Sequence, residues 1–190
     1  MGFVSGARRG SLWEDFLLID ELIKKHDFNI SGKKEREFEN GFAHTLAANN
    51  ERFQHDVITQ LHRKSHVIGV DCFGKKHRPD MAIGSSGDIK KDIQSIGIEI
   101  KYIKDSPDIF KYALGQAMVY RIRYKFVALI LILSHKNKPL YEVIATKQQL
   151  DLNDILYSLA EEMKIFTYIV PAFEIKYLPK TITFFDHIKS

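Results

Sequence analysis

Ile96-Gly97-Ile98-Glu99-Ile100-Lys101-Tyr102-Ile103 reads as one strand whose alternation decides the fold. Side chains of a strand point to opposite faces in turn, so Ile96, Ile98, Ile100 and Tyr102 face a core. Glu99 and Lys101 share the other face, about 7 Å apart along the strand. Upstream, Pro79-Asp80 lies in a stretch, 78–83, that reads as a second strand. Gly84-Ser85-Ser86-Gly87 supplies turn residues between the two. Pairing through that turn brings Asp80 beside Glu99. Two converging carboxylates repel unless a cation neutralises them, and a hard divalent ion suits oxygen donors. Lys101 stands where it can face a phosphate or a water as a point charge.

Working outward, helical spacing of Leu12, Phe16, Ile19, Leu22 and Ile23 predicts a helix over about 11–26. Phe38, Phe42, Thr45 and Leu46 predict a second over 31–48, stopped by Asn49-Asn50. A strand is expected over 66–73, and Gly74 opens a basic turn. Downstream of the deciding strand, 108–124 reads as a helix and 126–134 as a buried strand. A strand over 141–145, a helix over 152–164 and an extended stretch over 166–178 complete the pattern. Residues 52–64 are open between helix and strand. The order is that of an α/β fold, a central mixed β-sheet flanked by helices, in one domain spanning 1–190.

Pro79-Asp80 followed by Glu99-x-Lys101 resembles the signature of the PD-(D/E)XK nuclease superfamily. Gln116 and Tyr120, four apart on the following helix, resemble the Gln-xxx-Tyr motif of its RecB-like branch. Arg36-Glu37-Phe38-Glu39, with Phe42-Ala43 and Leu46, is similar to the first core helix of Mrr-type enzymes and Holliday-junction resolvases. The resemblance covers about 32–134 and implies a restriction-endonuclease-like fold with an αβββαβ core. It leaves the first helix as an N-terminal accessory and about 139–190 as a strand-helix-strand addition.

The resemblance further implies a metal-dependent deoxyribonuclease that hydrolyses phosphodiester bonds. Asp80, Glu99, the Ile100 carbonyl and Glu39 would hold Mg²⁺, with Mn²⁺ as substitute, and Lys101 would complete the catalytic set. Glu39 is preferred as the helix ligand, with Glu35 one turn away as the alternative. Gln116, Tyr120, Arg123, Lys75, Lys76 and Arg78 would contact DNA. A homodimer would support paired cuts on duplex DNA. The competing reading is a nuclease fold without catalysis, kept for binding nucleic acid or a protein.

Composition agrees with a folded cytoplasmic domain. The 190 residues carry 28 Lys+Arg and 24 Asp+Glu, with one cysteine, Cys72. One cysteine excludes an internal disulfide framework and a multi-cysteine zinc site. The longest apolar run, 126–133, is too short to span a bilayer. His62 and His66 are four apart, but Arg63 stands where a zinc protease needs glutamate, so no zinc is expected. No phosphate-binding Gly-x-x-x-x-Gly-Lys-Ser/Thr loop is present. The whole basic excess falls in 61–91, through Arg63, Lys64, Lys75, Lys76, Arg78, Lys90 and Lys91. Such a window suits either a solvated surface or a rim that attracts a polyanion.

Overall fold

Eight consecutive buried apolar residues make Phe126–Leu133 the centre of the sheet. A strand apolar on both faces is stable only when helices cover both, which favours parallel neighbours. In the computed structural model, which describes residues 5–29, 34–59, 67–84, 95–106 and 108–188, that is the arrangement found. In chain order the elements are α1 (Ser5–Lys25), α2 (Glu35–Ala48), β1 (Val57–Thr59), β2 (Val70–Cys72), β3 (Lys75–His77), β4 (Met81–Ile83) and β5 (Ile96–Ile103). They continue as α3 (Ile109–Tyr120), β6 (Phe126–Leu133), α4 (Lys138–Ala145), α5 (Leu150–Glu161), β7 (Ile165–Pro171) and β8 (Ile182–Thr183).

Six strands form one mixed sheet in the order β1-β4-β5-β6-β7-β8. β5 and β7 flank β6 in parallel, while β4 joins β5 and β1 joins β4 antiparallel. β8 closes the far edge antiparallel to β7. β2 and β3 form a separate two-stranded hairpin. α1 and α2 cover one face, burying Phe16, Ile19, Phe38 and Phe42 against Ile98, Ile100, Ile130 and Phe166. α3, α4 and α5 cover the other, with Ala117, Tyr120, Tyr141 and Leu156 against Val127, Leu129, Leu131 and Ile169.

α1 is integral to the core rather than an addition to it. Phe16 is fully buried, with its ring 4.2 Å from Phe166 and 5.8 Å from Phe126, while Trp13 lies 5.5 Å from Phe126. α1 also begins six residues before the expected start. α2 begins at Glu35, where the Glu37 carboxylate accepts the Lys34 N–H at 3.2 Å. Residues 31–33 of the expected helix lie outside the described residues, as do 60–64 of the stretch 52–64, open between helix and strand by sequence, whose described part holds strand β1.

The expected strand over 141–145 is helix α4. Leu140, Tyr141 and Ile144 are three and four apart, and Pro139 sits in the first turn, where proline suits a helix. Buried Asn137 fixes the start of α4 by donating to the Ile103 carbonyl at 2.9 Å. The C-terminal portion is therefore helix-helix-strand-strand, not strand-helix-strand. The strand expected over 66–73 is confined, among the described residues, to Val70–Cys72, and Cys72 is half-buried. Lys75–His77 returns as its antiparallel partner. The extended stretch expected over 166–178 is strand only to Pro171, and Glu174-Ile175-Lys176, which repeats the Glu-x-Lys pattern, lies beyond it on no strand.

Candidate functional site

The site forms where β4 stops pairing with β5. The ladder runs Ile83↔Ile96, Ala82↔Gly97, Met81↔Ile98, and the next step of that register sets Asp80 across from Glu99. Asp80 does not continue the main-chain ladder. Its side chain takes over, with Oδ2 accepting the Ile100 N–H at 2.8 Å. The N–H and C=O of one strand residue point to the same side, so the Ile100 carbonyl opens onto this edge too. Gly97 leaves room here for the Tyr124 ring: a Cβ would come within 3.2 Å of it, so the ring would have to give by a few tenths of an ångström, while Pro79 at 3.5 Å would be in ordinary contact.

Glu99 is 2% exposed, and its Oε1 lies 2.9 Å from the Lys101 Nζ. Its other oxygen, Oε2, is buried with no hydrogen-bond partner. Lys101 also reaches Glu35 Oε1 at 3.1 Å, and Glu35 Oε2 accepts the Tyr102 N–H at 2.9 Å. α2 therefore enters the site through Glu35 at its first position. Glu39, one turn on, is half-buried and lies close enough for its charge to act on Asp80.

Burial raises the Asp80 pKa well above the usual range, and the charges of Glu99 and Glu39 push it further up. Burial raises Glu99 as well, against the opposing pull of Lys101. For Lys101, burial favours the neutral amine, but Glu99, Asp80 and Glu35 together outweigh it and raise the pKa, so the ammonium persists. A buried acid with an orphaned oxygen, Glu99, and a half-buried one, Asp80, share a single lysine. That balance leaves a deficit of positive charge.

Helix α3 ends at Tyr120 rather than at 124 as expected, and Tyr120 with Tyr124, just past the turn that follows, fixes the approach to Asp80. The Tyr120 hydroxyl donates to the Arg78 carbonyl at 3.0 Å, and the Tyr124 hydroxyl to the Ile68 carbonyl at 2.7 Å. They hold the two feet of the β2–β3 hairpin. Tyr120 is 1% exposed; burial, then the charges of Glu99 and Asp80, raise its pKa and keep the phenol protonated. It acts on the site through the backbone it holds and directly through its hydroxyl, which also faces Glu99. Gln116 is half-buried on the same helix, and Arg123, Lys75, Lys76 and Arg78 are exposed. Arg63, Lys64, Lys90 and Lys91, with His62 and His66, lie outside the described residues. Tyr124 was not singled out from sequence, although its four-residue spacing from Tyr120 was a usable signal.

The donor chemistry fits a hard divalent cation, since Asp80, Glu99 Oε2 and the Ile100 carbonyl are all oxygen donors. Among the described residues, no three His, Cys, Asp or Glu side chains are gathered as a metal-holding group. Two carboxylates and one carbonyl carry the fit. No protein-family model matches the chain, and no curated protein or solved structure is significantly similar to it. No helix among the described residues is long and apolar enough to cross a membrane.

Proposed function

We propose that this chain is a metal-dependent deoxyribonuclease of PD-(D/E)XK type. The observation that carries the reading is the buried Glu99 carboxylate, with one oxygen on Lys101 and the other unpartnered, across from Asp80. Supporting it is the order α2, β1, β4, β5, α3, β6 in the sheet-and-helix core, which matches the αβββαβ order of the restriction-endonuclease-like fold.

Asp80, Glu99 and the Ile100 carbonyl would hold Mg²⁺ or Mn²⁺, with Glu39 the nearest further carboxylate on α2. Such an ion supplies a bound water of lowered pKa and offsets charge that builds on the phosphate. Lys101 keeps its ammonium against Glu99, where it positions the attacking water or stabilises the charge of the five-coordinate phosphorus. Glu35 fixes the far side of that ammonium. Tyr120 aligns Asp80 by holding Arg78. Gln116 and Arg123, with Lys75, Lys76 and Arg78, draw the DNA backbone to the edge, and that attraction weakens with salt.

Incubation of the purified chain with plasmid DNA and Mg²⁺ tests the reading. Cutting that EDTA stops supports it; binding of DNA with no cutting in Mg²⁺ or Mn²⁺ would favour the non-catalytic module instead.

A further inference from the structure

The β2–β3 hairpin carries a feature that neither the fold nor the acidic site explains. Its two-residue turn is Phe73-Gly74, with φ of 51° and 70°. Positive φ at both positions is the geometry that matches the twist of a tight hairpin, and Asn-Gly or Asp-Gly is its favoured sequence. Phenylalanine in that conformation costs roughly 1–2 kcal/mol. The ring is also 99% exposed, so it returns no burial to the fold. Both terms run against stability, and a contact outside the chain would offset them.

The setting says what that contact is. Lys75 and Lys76 follow the tip and are exposed, as is Arg78, against one nearby acid, Asp71. An apolar ring projecting from a cationic collar suits a ligand that combines aromatic faces with negative charge. The hairpin packs on α3, and Tyr124 and Tyr120 anchor its two feet at Ile68 and Arg78. The tip is thus mounted on the elements that position Asp80. Phe73 stands seven residues before Asp80, a span of at most roughly 25 Å. That length corresponds to about seven nucleotides at 3.4 Å each.

We propose that Phe73 stacks on an unpaired base, and that the substrate is DNA with a single-stranded segment within about seven nucleotides of the scissile phosphate. This rests on the deoxyribonuclease reading for the identity of the ligand. Energetics select the unpaired base. Stacking on one aromatic ring contributes about 1–3 kcal/mol, while unstacking a step of intact duplex costs a few kcal/mol. One phenyl ring cannot open a duplex at that balance, but it binds a base that is already free. Forked, flapped and single-stranded DNA meet the condition, and blunt duplex does not.

The test is fluorescence anisotropy with the full chain in EDTA, which separates binding from cutting. The probes are a fluorescein-labelled forked duplex and a blunt duplex of the same paired sequence. Phe73→Asn removes the ring and places a residue the turn favours, so the hairpin stays folded; Phe73→Trp keeps an aromatic ring. Wild type should prefer the fork. Phe73→Asn should weaken fork binding by roughly 5- to 140-fold and blunt-duplex binding by no more than about 2-fold, with Phe73→Trp close to wild type. Equal binding of both probes by wild type, equal losses on both, or no loss on the fork would overturn the proposal. Fork-selective loss in a chain that cuts no DNA would sustain the stacking contact and sink the hydrolase. Cutting by wild type with fork binding unchanged in Phe73→Asn would do the reverse.

Discussion

The Tyr120 hydroxyl donates to the Arg78 carbonyl at 3.0 Å, so a residue on α3 sets the main chain two residues before Asp80. Tyr124 makes a matching bond to Ile68 at 2.7 Å, farther from the acids. Phenylalanine at either position removes the bond to a carbonyl, which is left to find water, and at Tyr120 it also removes the hydroxyl that faces Glu99. Each variant should lose about 0.5–1.5 kcal/mol in urea unfolding. The rates should separate them: Tyr120→Phe should slow cleavage by about 10-fold, while Tyr124→Phe stays within about 3-fold of wild type. Equal rate losses would show that Tyr120 has no special hold on the site.

Asp80 gives a prediction in pH. Its pKa is raised from the ordinary value of 3.8, by burial first and then by Glu99 and Glu39. A carboxyl with a higher pKa folded than unfolded binds protons preferentially in the native state. Its stability term is therefore fully present below about pH 4 and declines as pH rises towards the raised value. In EDTA, the melting temperature should fall across that interval, and Asp80→Asn should reduce the fall. The asparagine oxygen still accepts the Ile100 N–H, so the variant should melt higher than wild type at pH 8 without metal.

Mg²⁺ should reverse that trend. At about 100 times its Kd a ligand stabilises the native state by about 2.7 kcal/mol, or roughly 5–10 °C for a chain of this size. The rise should grow with pH, as the acids lose their protons, and should vanish in Asp80→Asn. A melting temperature indifferent to Mg²⁺ at pH 8 would remove the cation from this site.

Glu35 and Glu39 should separate by readout. Glu35 is tied to Lys101 and the Tyr102 N–H, whereas Glu39 acts on Asp80. Glu39→Gln should weaken Mn²⁺ binding in calorimetry by roughly 10-fold. Glu35→Gln should leave Mn²⁺ affinity nearly unchanged and slow turnover, because the lysine loses one of its two carboxylate partners. The reverse pattern would make Glu35 the ligand.

How much of this was legible in the sequence follows from where the signal was local. β5 and β6 were readable because each is eight residues long with an unbroken pattern. Asp80, Glu99 and Lys101 were readable because a two-residue alternation and the antiparallel pairing of β4 with β5 bring them together; the turn expected at Gly84-Ser85-Ser86-Gly87 lies, past Gly84, outside the described residues. Of the β2–β3 hairpin, the first strand and the turn at Gly74 were readable, but the return strand was not, since Lys75-Lys76-His77 carries no alternation to detect. α4 was misread because Tyr141, Val143 and Ala145 mimic a strand, while the helix signal resided in Pro139 and in Asn137's long-range bond to Ile103. Glu35 escaped as a partner of Lys101 because the two are 66 residues apart. Nothing in the first helix announced its partners either, yet Phe16 sits fully buried against β6 and β7. Phe16→Ala should cost about 3–5 kcal/mol in urea unfolding, far more than loss of a peripheral contact.

The central claim is that Asp80, Glu99 and Lys101 hydrolyse phosphodiester bonds together with a divalent cation. Single-turnover cleavage of a 5′-labelled forked DNA in Mg²⁺ tests it most directly, comparing wild type with Asp80→Asn, Glu99→Gln and Lys101→Ala, each first checked for folding by circular dichroism. The predicted result is cutting by wild type that EDTA abolishes, with each variant slower by roughly 10²- to 10³-fold or more. Variants that cut as fast as wild type, or cutting that persists in EDTA, would contradict it.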